Sequence, residues 1–147
     1  MYISYLITAL VKTIIAVNIS ALKFQLFFYG RGFGKMRIVI TGGAGYIGSH
    51  VLLELLSLGH DICVVDDFSN SNPNALLIVK DLSGCNFETQ ELDLCDYSHL
   101  KSVFDNFKPQ AVVHLAGLKA VGESVLLPVH YFDKNIGGTV QLLKAMD

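Results

Sequence analysis

The chain has 147 residues, enough for one domain with a real core, and its 16% charged residues and formal net charge of −2 give no basic excess of the kind a nucleic-acid surface shows. Its three cysteines, Cys63, Cys85 and Cys95, are an odd set without a CxxC pair, which argues against a disulfide framework or a zinc site and fits the reduced thiols of a cytosolic protein.

The mean hydropathy of +0.47 has a local cause. Residues 1–35 are strongly apolar and carry no acidic side chain. A membrane-spanning helix needs about 20 predominantly apolar residues, and Lys12, Asn18 and Lys23 interrupt this run. A signal peptide would show a charged start and a small-residue cleavage site; neither is evident. Three readings stay open for this extension: a segment without function or a mistaken start, a membrane or export role, and an added structural element. Met36 stands where a cytosolic chain of this type would begin.

From Met36 to Asp147 the pattern alternates strand and helix. "MRIVIT" (36–41) is a short apolar run stopped by Gly42 and reads as a buried strand. "YIGSHVLLELLSLG" places Ile47, Val51, Leu55 and Leu58 on one helical face, with Gly59 as the stop. "HDICVVDD" is the second strand, "FSNSNPNA" a polar loop, and a weaker helix covers about 75–82. "NFETQELD" (86–93) is the third strand. Asp96 caps a helix over 97–107 that turns Val103, Phe104 and Phe107 inward. "QAVVHLAG" (110–117) is the fourth strand, and "PVHYFDKNIGGTVQLLKAMD" begins a long helix reaching the chain end. This alternation predicts an α/β fold: a Rossmann-type doubly wound parallel sheet, incomplete at about four strands.

Between the first strand and its helix, Gly43-x-Gly45-x-x-Gly48 and Gly42-x-x-Gly45-x-x-Gly48 both satisfy dinucleotide-binding spacings. One glycine makes the tight turn, one lets the backbone approach a pyrophosphate, and one lets helix and strand pack closely. The phosphates then meet the free N–H groups at the helix start. Asp66 ends the second strand, 18 residues past Gly48, where a carboxylate accepts from ribose hydroxyls. No arginine lies nearby for a 2′-phosphate, which favours NAD over NADP. No GK[ST] completes a P-loop, and "GRGFGK" (30–35) precedes a strand instead of following one.

"MRIVITGGAGYIGSH", "VVDDFSNS", "HLAGLKAVGES" and "YFDKNIGGT" together resemble the N-terminal part of the UDP-glucose 4-epimerase family, extended short-chain dehydrogenases/reductases. The resemblance runs over 36–147 and excludes 1–35. It implies NAD as cofactor and UDP-glucose/UDP-galactose interconversion, hydride passing from C4 of the sugar to NAD and returning to the opposite face of a 4-keto intermediate. It further implies that Gly42, Gly45, Tyr46, Ile47 and Gly48 hold the pyrophosphate. Asp66, Asp67, Phe68, Ser69, Asn70 and Ser71 surround the adenosine ribose; Asp93 and Leu94 flank the adenine. Leu115, Ala116, Gly117 and Lys119 line the path to the nicotinamide, and Asn135 stands near the active site. Lys134 departs from the asparagine of some members and is left out. The partners implied are a UDP-hexose and, for the full-length family, a second copy; no nucleic acid or membrane is expected, and the setting is cytoplasmic.

The family's catalytic serine and Tyr-x-x-x-Lys pair follow the next strand, beyond Asp147, so no catalytic residue is assigned and the chain alone is expected not to turn over. Tyr97-x-x-x-Lys101 matches the string but lies on the wrong helix. Ser124 lacks a nucleophile-elbow context. His114 reads as a satisfied core residue, and His50, His60, His99 and His130 share no metal-ligand spacing. Two other readings remain: a non-catalytic nucleotide-binding or interaction module, and an epimerase of another UDP-sugar. With four strands of a six-stranded sheet, apolar edges are expected to be exposed.

Overall fold

The computed structural model describes residues 34–147. The expectations placed on residues 1–35 lie outside the described residues except at Gly34 and Lys35, the latter pairing with Asp61 at the surface (2.8 Å).

Four parallel strands, β1 (Arg37–Thr41), β2 (Asp61–Asp66), β3 (Glu88–Glu91) and β4 (Ala111–His114), lie in the order β3-β2-β1-β4. Three helices connect them: α1 (Tyr46–Ser57), α2 (Asn74–Ser83) and α3 (Tyr97–Phe107). After β4 come two short helices, α4 (Val121–Leu126) and α5 (Pro128–Phe132), a π-helical turn at Asp133–Gly137, and α6 (Gly138–Ala145). β1 and β2 are central and apolar on both faces, so consecutive residues go to opposite cores. Ile38, Ile40, Ile62 and Val64 pack with Leu52, Leu55 and Leu56 of α1 and Leu76 and Val79 of α2. Val39, Cys63 and Val65 pack with Leu100, Val103 and Phe104 of α3 and Leu142 and Ala145 of α6. The result is the expected doubly wound, helix-covered parallel sheet.

Local signals account for the element ends. Asp96 caps α3 by accepting from the His99 N–H (3.1 Å), and Gly84, at φ +64°, ends α2 in the left-handed region.

Three details differ from the sequence reading. β3 and β4 are shorter than expected, since each pairs on one side only among the described residues. The inner face of α1 is Gly48, Leu52, Leu55 and Leu56, while Ile47 is exposed. Gly48 has to press against the Gly42–Gly43 backbone, which fixes the rotation of the helix and turns Ile47 outward. The long final helix carries a π turn, where Gly137 and Gly138 interrupt its side-chain stripe and Gly138 lets Leu94 approach.

Candidate functional site

Parallel strands bring the loops after β1, β2, β3 and β4 to one edge of the sheet, the edge where ligands bind in doubly wound folds. The glycine turn sits at its centre. Gly42 has φ +70°, and a Cβ there would lie 2.6 Å from the Ala116 nitrogen. A Cβ on Gly48 would lie 2.1 Å from the Gly42 carbonyl oxygen. Both positions therefore exclude a side chain for internal reasons. Gly45 is different: a Cβ there would meet only the Gly42 oxygen, at 3.3 Å. Its missing side chain leaves the outer face of the turn open, beside the first turn of α1. No side chain caps that helix and its first turn holds no acid. The N–H groups of Tyr46, Ile47 and Gly48 are thus the first-turn donors a helix cannot satisfy by itself.

Asp66 is buried at the end of β2. One carboxylate oxygen accepts from the Ala44 N–H (2.9 Å), the other from the Phe68 N–H (3.0 Å) and the Ser71 hydroxyl (2.8 Å). Phe68 takes φ +53° and tucks against the core, so the chain doubles back over the carboxylate. Asp67, exposed, accepts from the Ser69 N–H (3.0 Å) and hydroxyl (2.6 Å). Asn70 is exposed at the loop tip.

The loop after β4 is held at both ends. Leu115 and Ala116 donate backbone N–H bonds to the Thr41 hydroxyl at 3.2 and 3.3 Å. Asn135, in the π turn, accepts from the Leu118 N–H (2.7 Å) and donates to the Leu118 carbonyl (2.9 Å). Its amide is a two-point clamp on the loop. Gly117 lies against that clamp, and Lys119 is exposed just beyond it. His114 is satisfied, as expected, between Thr41 (2.6 Å) and Thr139 (3.0 Å); burial pushes its pKa below the ordinary histidine value.

Asp93, after β3, accepts from the Cys95 N–H (3.0 Å) and pairs with Lys134 of the π turn. Burial pulls the Asp93 carboxyl up, but the Lys134 hydrogen bond and the Cys95 N–H outweigh it, so its pKa lies below the usual carboxylate range. The same hydrogen bond, with the negative charges of Asp93 and Asp67 nearby, raises Lys134 against an opposing burial effect. Leu94 is half-buried and packs under Gly138.

These contacts gather the glycine turn, Asp66, the β4 loop, Asp93 and Asn135 into one edge. Sequence reasoning passed over Thr41, Thr139 and Lys134, which hold that edge together; a departure from a motif, at Lys134, was the one available signal. Tyr97 and Lys101 lie on α3, where Lys101 pairs with Asp105 (3.3 Å). Among the described residues no cluster of three metal-ligating side chains occurs, and no helix is long and apolar enough to cross a membrane. Surface hollows lined by Phe104, Gln110 and Met146, and by Arg37, Asp61 and Phe107, sit at the opposite edge of the sheet.

The profile of the NAD dependent epimerase/dehydratase family matches residues 38–147. The UDP-glucose 4-epimerase of Bacillus subtilis (strain 168) is 49% identical over 112 residues, covering 76% of this chain and 33% of that protein. The Bos taurus UDP-glucose 4-epimerase is 47% identical over 116 residues, covering 75% and 33%. A crystal structure of the Bifidobacterium longum UDP-glucose 4-epimerase in complex with NAD+ and UDP superposes with a TM-score of 0.73 at 42% identity, again covering 75% and 33%. The chain thus spans about a third of the length of the curated relatives it matches. By profile, sequence and fold together, the chain belongs to the NAD dependent epimerase/dehydratase family.

Proposed function

We propose that residues 36–147 are the NAD-binding half of a UDP-hexose 4-epimerase site, acting on UDP-glucose and UDP-galactose. The observation that carries this reading is the uncapped start of α1 opening onto Gly45, with the Asp66 loop on one side and the β4 loop on the other. A diphosphate fits that cradle chemically: it is anionic, and backbone donors with the helix dipole favour an anion there.

NAD, when bound, supplies the acceptor and donor of hydride. The chain's own residues bind and orient it. Gly42, Gly45 and Gly48 keep the turn free of side chains, and Tyr46, Ile47 and Gly48 offer their N–H groups to the pyrophosphate. Asp66 to Ser71 shape the ribose end and Asp93 with Leu94 the adenine end. Leu115, Ala116, Gly117 and Lys119 form the nicotinamide side, with Lys119 placing a cation near the diphosphate. Asn135 acts through its clamp on Leu118.

The serine and Tyr-x-x-x-Lys pair of the family resemblance are not among these 147 residues. We therefore assign this chain binding without turnover, in a cytoplasmic setting that keeps its cysteines as thiols. A second copy is proposed to cover the apolar row on the last helices, where Val125, Val129, Phe132 and Ile136 are more than half exposed.

Calorimetry with NAD and NADP, alongside a UDP-galactose turnover assay, tests the reading. Binding of NAD, at least about tenfold weaker binding of NADP, and no turnover are the expected results. A folded chain that ignores NAD overturns the cofactor half, and turnover by the chain alone overturns the assignment of binding without catalysis.

A further inference from the structure

Thr41 ends β1 directly before the glycine turn and is fully buried. Its hydroxyl oxygen accepts from the N–H groups of Leu115 (3.2 Å) and Ala116 (3.3 Å). The Leu115 N–H is shared with the Thr41 carbonyl (3.0 Å), so the hydroxyl oxygen holds the Ala116 N–H and part of the Leu115 N–H, and its hydrogen is left for His114 Nδ1, 2.6 Å away. Nδ1 is therefore an acceptor. On the other side of the ring, Nε2 lies 3.0 Å from Thr139 Oγ1. The Thr139 hydroxyl spends its own hydrogen on the Asn135 carbonyl (2.5 Å), so Nε2 must carry a proton and donate. One directed chain results, Thr41 to His114 to Thr139 to the Asn135 carbonyl, and only the neutral Nε2–H imidazole satisfies every link. An Nδ1–H tautomer or an imidazolium would set a donor against the Thr41 hydroxyl.

The chain joins the two anchors of one loop. Thr41 holds Leu115 and Ala116; Asn135 holds Leu118. Ala116 in turn stands against Gly42, where a Cβ would lie 2.6 Å from the Ala116 nitrogen, so the loop packs directly on the glycine turn.

We infer that His114 is a positioning residue for dinucleotide binding: as the neutral Nε2–H tautomer it latches the end of β1 to the π turn and so sets residues 115–118 against the glycine turn. The inference rests on the NAD reading above for its ligand, while the latch itself can be scored without ligand. A histidine that only fills space would tolerate an apolar residue of similar size; a latch would not. Glutamine restores the latch, because its carbonyl oxygen accepts from Thr41 and its amide donates to Thr139.

The test uses the 147-residue chain with ¹⁵N-labelled histidine, its H114Q, H114L and T139V variants, NAD calorimetry and amide exchange. His114 in the free chain shows an unprotonated Nδ1 and a protonated Nε2. H114Q binds NAD within about threefold of the parent, and H114L and T139V lose about tenfold. The Leu115, Ala116 and Leu118 amides exchange faster in H114L and T139V and keep their protection in H114Q. A protonated Nδ1 overturns the inference. So does folded H114L with parental affinity and protection; should H114L not fold, T139V decides on the same two readings. If the parent binds no NAD, the cofactor reading and the positioning role fall together, and the tautomer with the amide exchange then says whether the latch exists as a purely structural feature.

Discussion

The Asp66 carboxylate accepts the Ala44 N–H at 2.9 Å, so the acid at the end of β2 also holds the middle of the glycine turn. Its other oxygen is taken by the Phe68 N–H and the Ser71 hydroxyl. A residue read from sequence as a ribose ligand thus also folds two loops onto each other.

Asp66→Asn tests both duties. An amide has one acceptor oxygen, and whichever way it turns its NH₂ faces either the Ala44 or the Phe68 N–H. The expected cost is about 1–3 kcal/mol of folding stability, read by urea denaturation. NAD affinity should fall as well, and Asp66→Arg, which reverses charge at the ribose end, should reduce it further. Unchanged NAD affinity in a folded Asp66→Asn chain would remove Asp66 from the cofactor site.

Two glycines of the fingerprint should respond in opposite ways. Gly48→Ala drives a Cβ to within 2.1 Å of a backbone oxygen that cannot move without opening the turn, so a loss of about 3 kcal/mol or a failure to fold is expected. Gly45→Ala meets one atom at 3.3 Å and should change stability by less than about 1 kcal/mol. Its methyl group, however, projects where the diphosphate is proposed to lie. Thermal melts and NAD calorimetry on the two variants decide this: equal melting with lost binding at Gly45 is the expected pattern, and intact binding there relocates the phosphates.

The Asp93–Lys134 pair ties the loop after β3 to the π turn, with both side chains about one-third exposed (39% and 32%). At that exposure its net contribution should stay within about 1 kcal/mol. The signs are opposite at the two ends of the pH scale. The depressed Asp93 pKa gives stability present above about pH 4 and lost as pH falls through the folded value. The raised Lys134 pKa gives stability present below about pH 10 and lost as pH rises through its folded value. Lys134→Gln should therefore raise the Asp93 carboxyl pKa, seen by carbon-detected NMR titration, and lower stability mainly between those limits. An Asp93 that titrates identically in the variant would dissolve the pair.

Much of this edge was legible because its chemistry is local. Glycine spacing, the strand before it, the helix after it and Asp66 are fixed by a short span of chain, and so were readable. Asp96 as a cap was readable for the same reason. The Thr41–His114–Thr139 chain was not, because its members are 73 and 25 residues apart and meet only through β1–β4 pairing and the packing of the last helix. The π turn was hidden by a sequence whose 3.6-residue periodicity survives on either side of it. The rotation of α1 was misread at Ile47 because hydrophobic spacing counts side chains, whereas the contact that sets the rotation is made by a glycine.

His114 should make the fold acid-sensitive. Burial depresses its folded pKa below about 6.5, so the neutral form's stability is fully present above that value and is lost as pH falls through the folded pKa. His60 is shifted the same way by burial, against an opposing pull from Asp61. Denaturation between about pH 8 and pH 5 should show falling stability, with a shallower slope in His114→Gln; the slope that remains belongs to His60 and the carboxylates. An identical slope in the two chains would mean that His114 takes up its proton over the same pH range folded as unfolded, so that burial does not shift it.

The last helices carry Val129, Phe132, Ile136 and Val140 at spacings of three and four residues, all exposed. A row of that kind on a monomer invites a partner surface, and an isologous copy is the simplest complement to it. Ile136→Glu puts a charge in the middle of the row without touching the hydrogen bonds of Asn135 or Thr139. Sedimentation velocity should find the parent chain shifting from monomer to dimer with concentration, and the variant remaining monomeric with an unchanged melting temperature. A parent that stays monomeric at every concentration would mean that this row does not drive self-association.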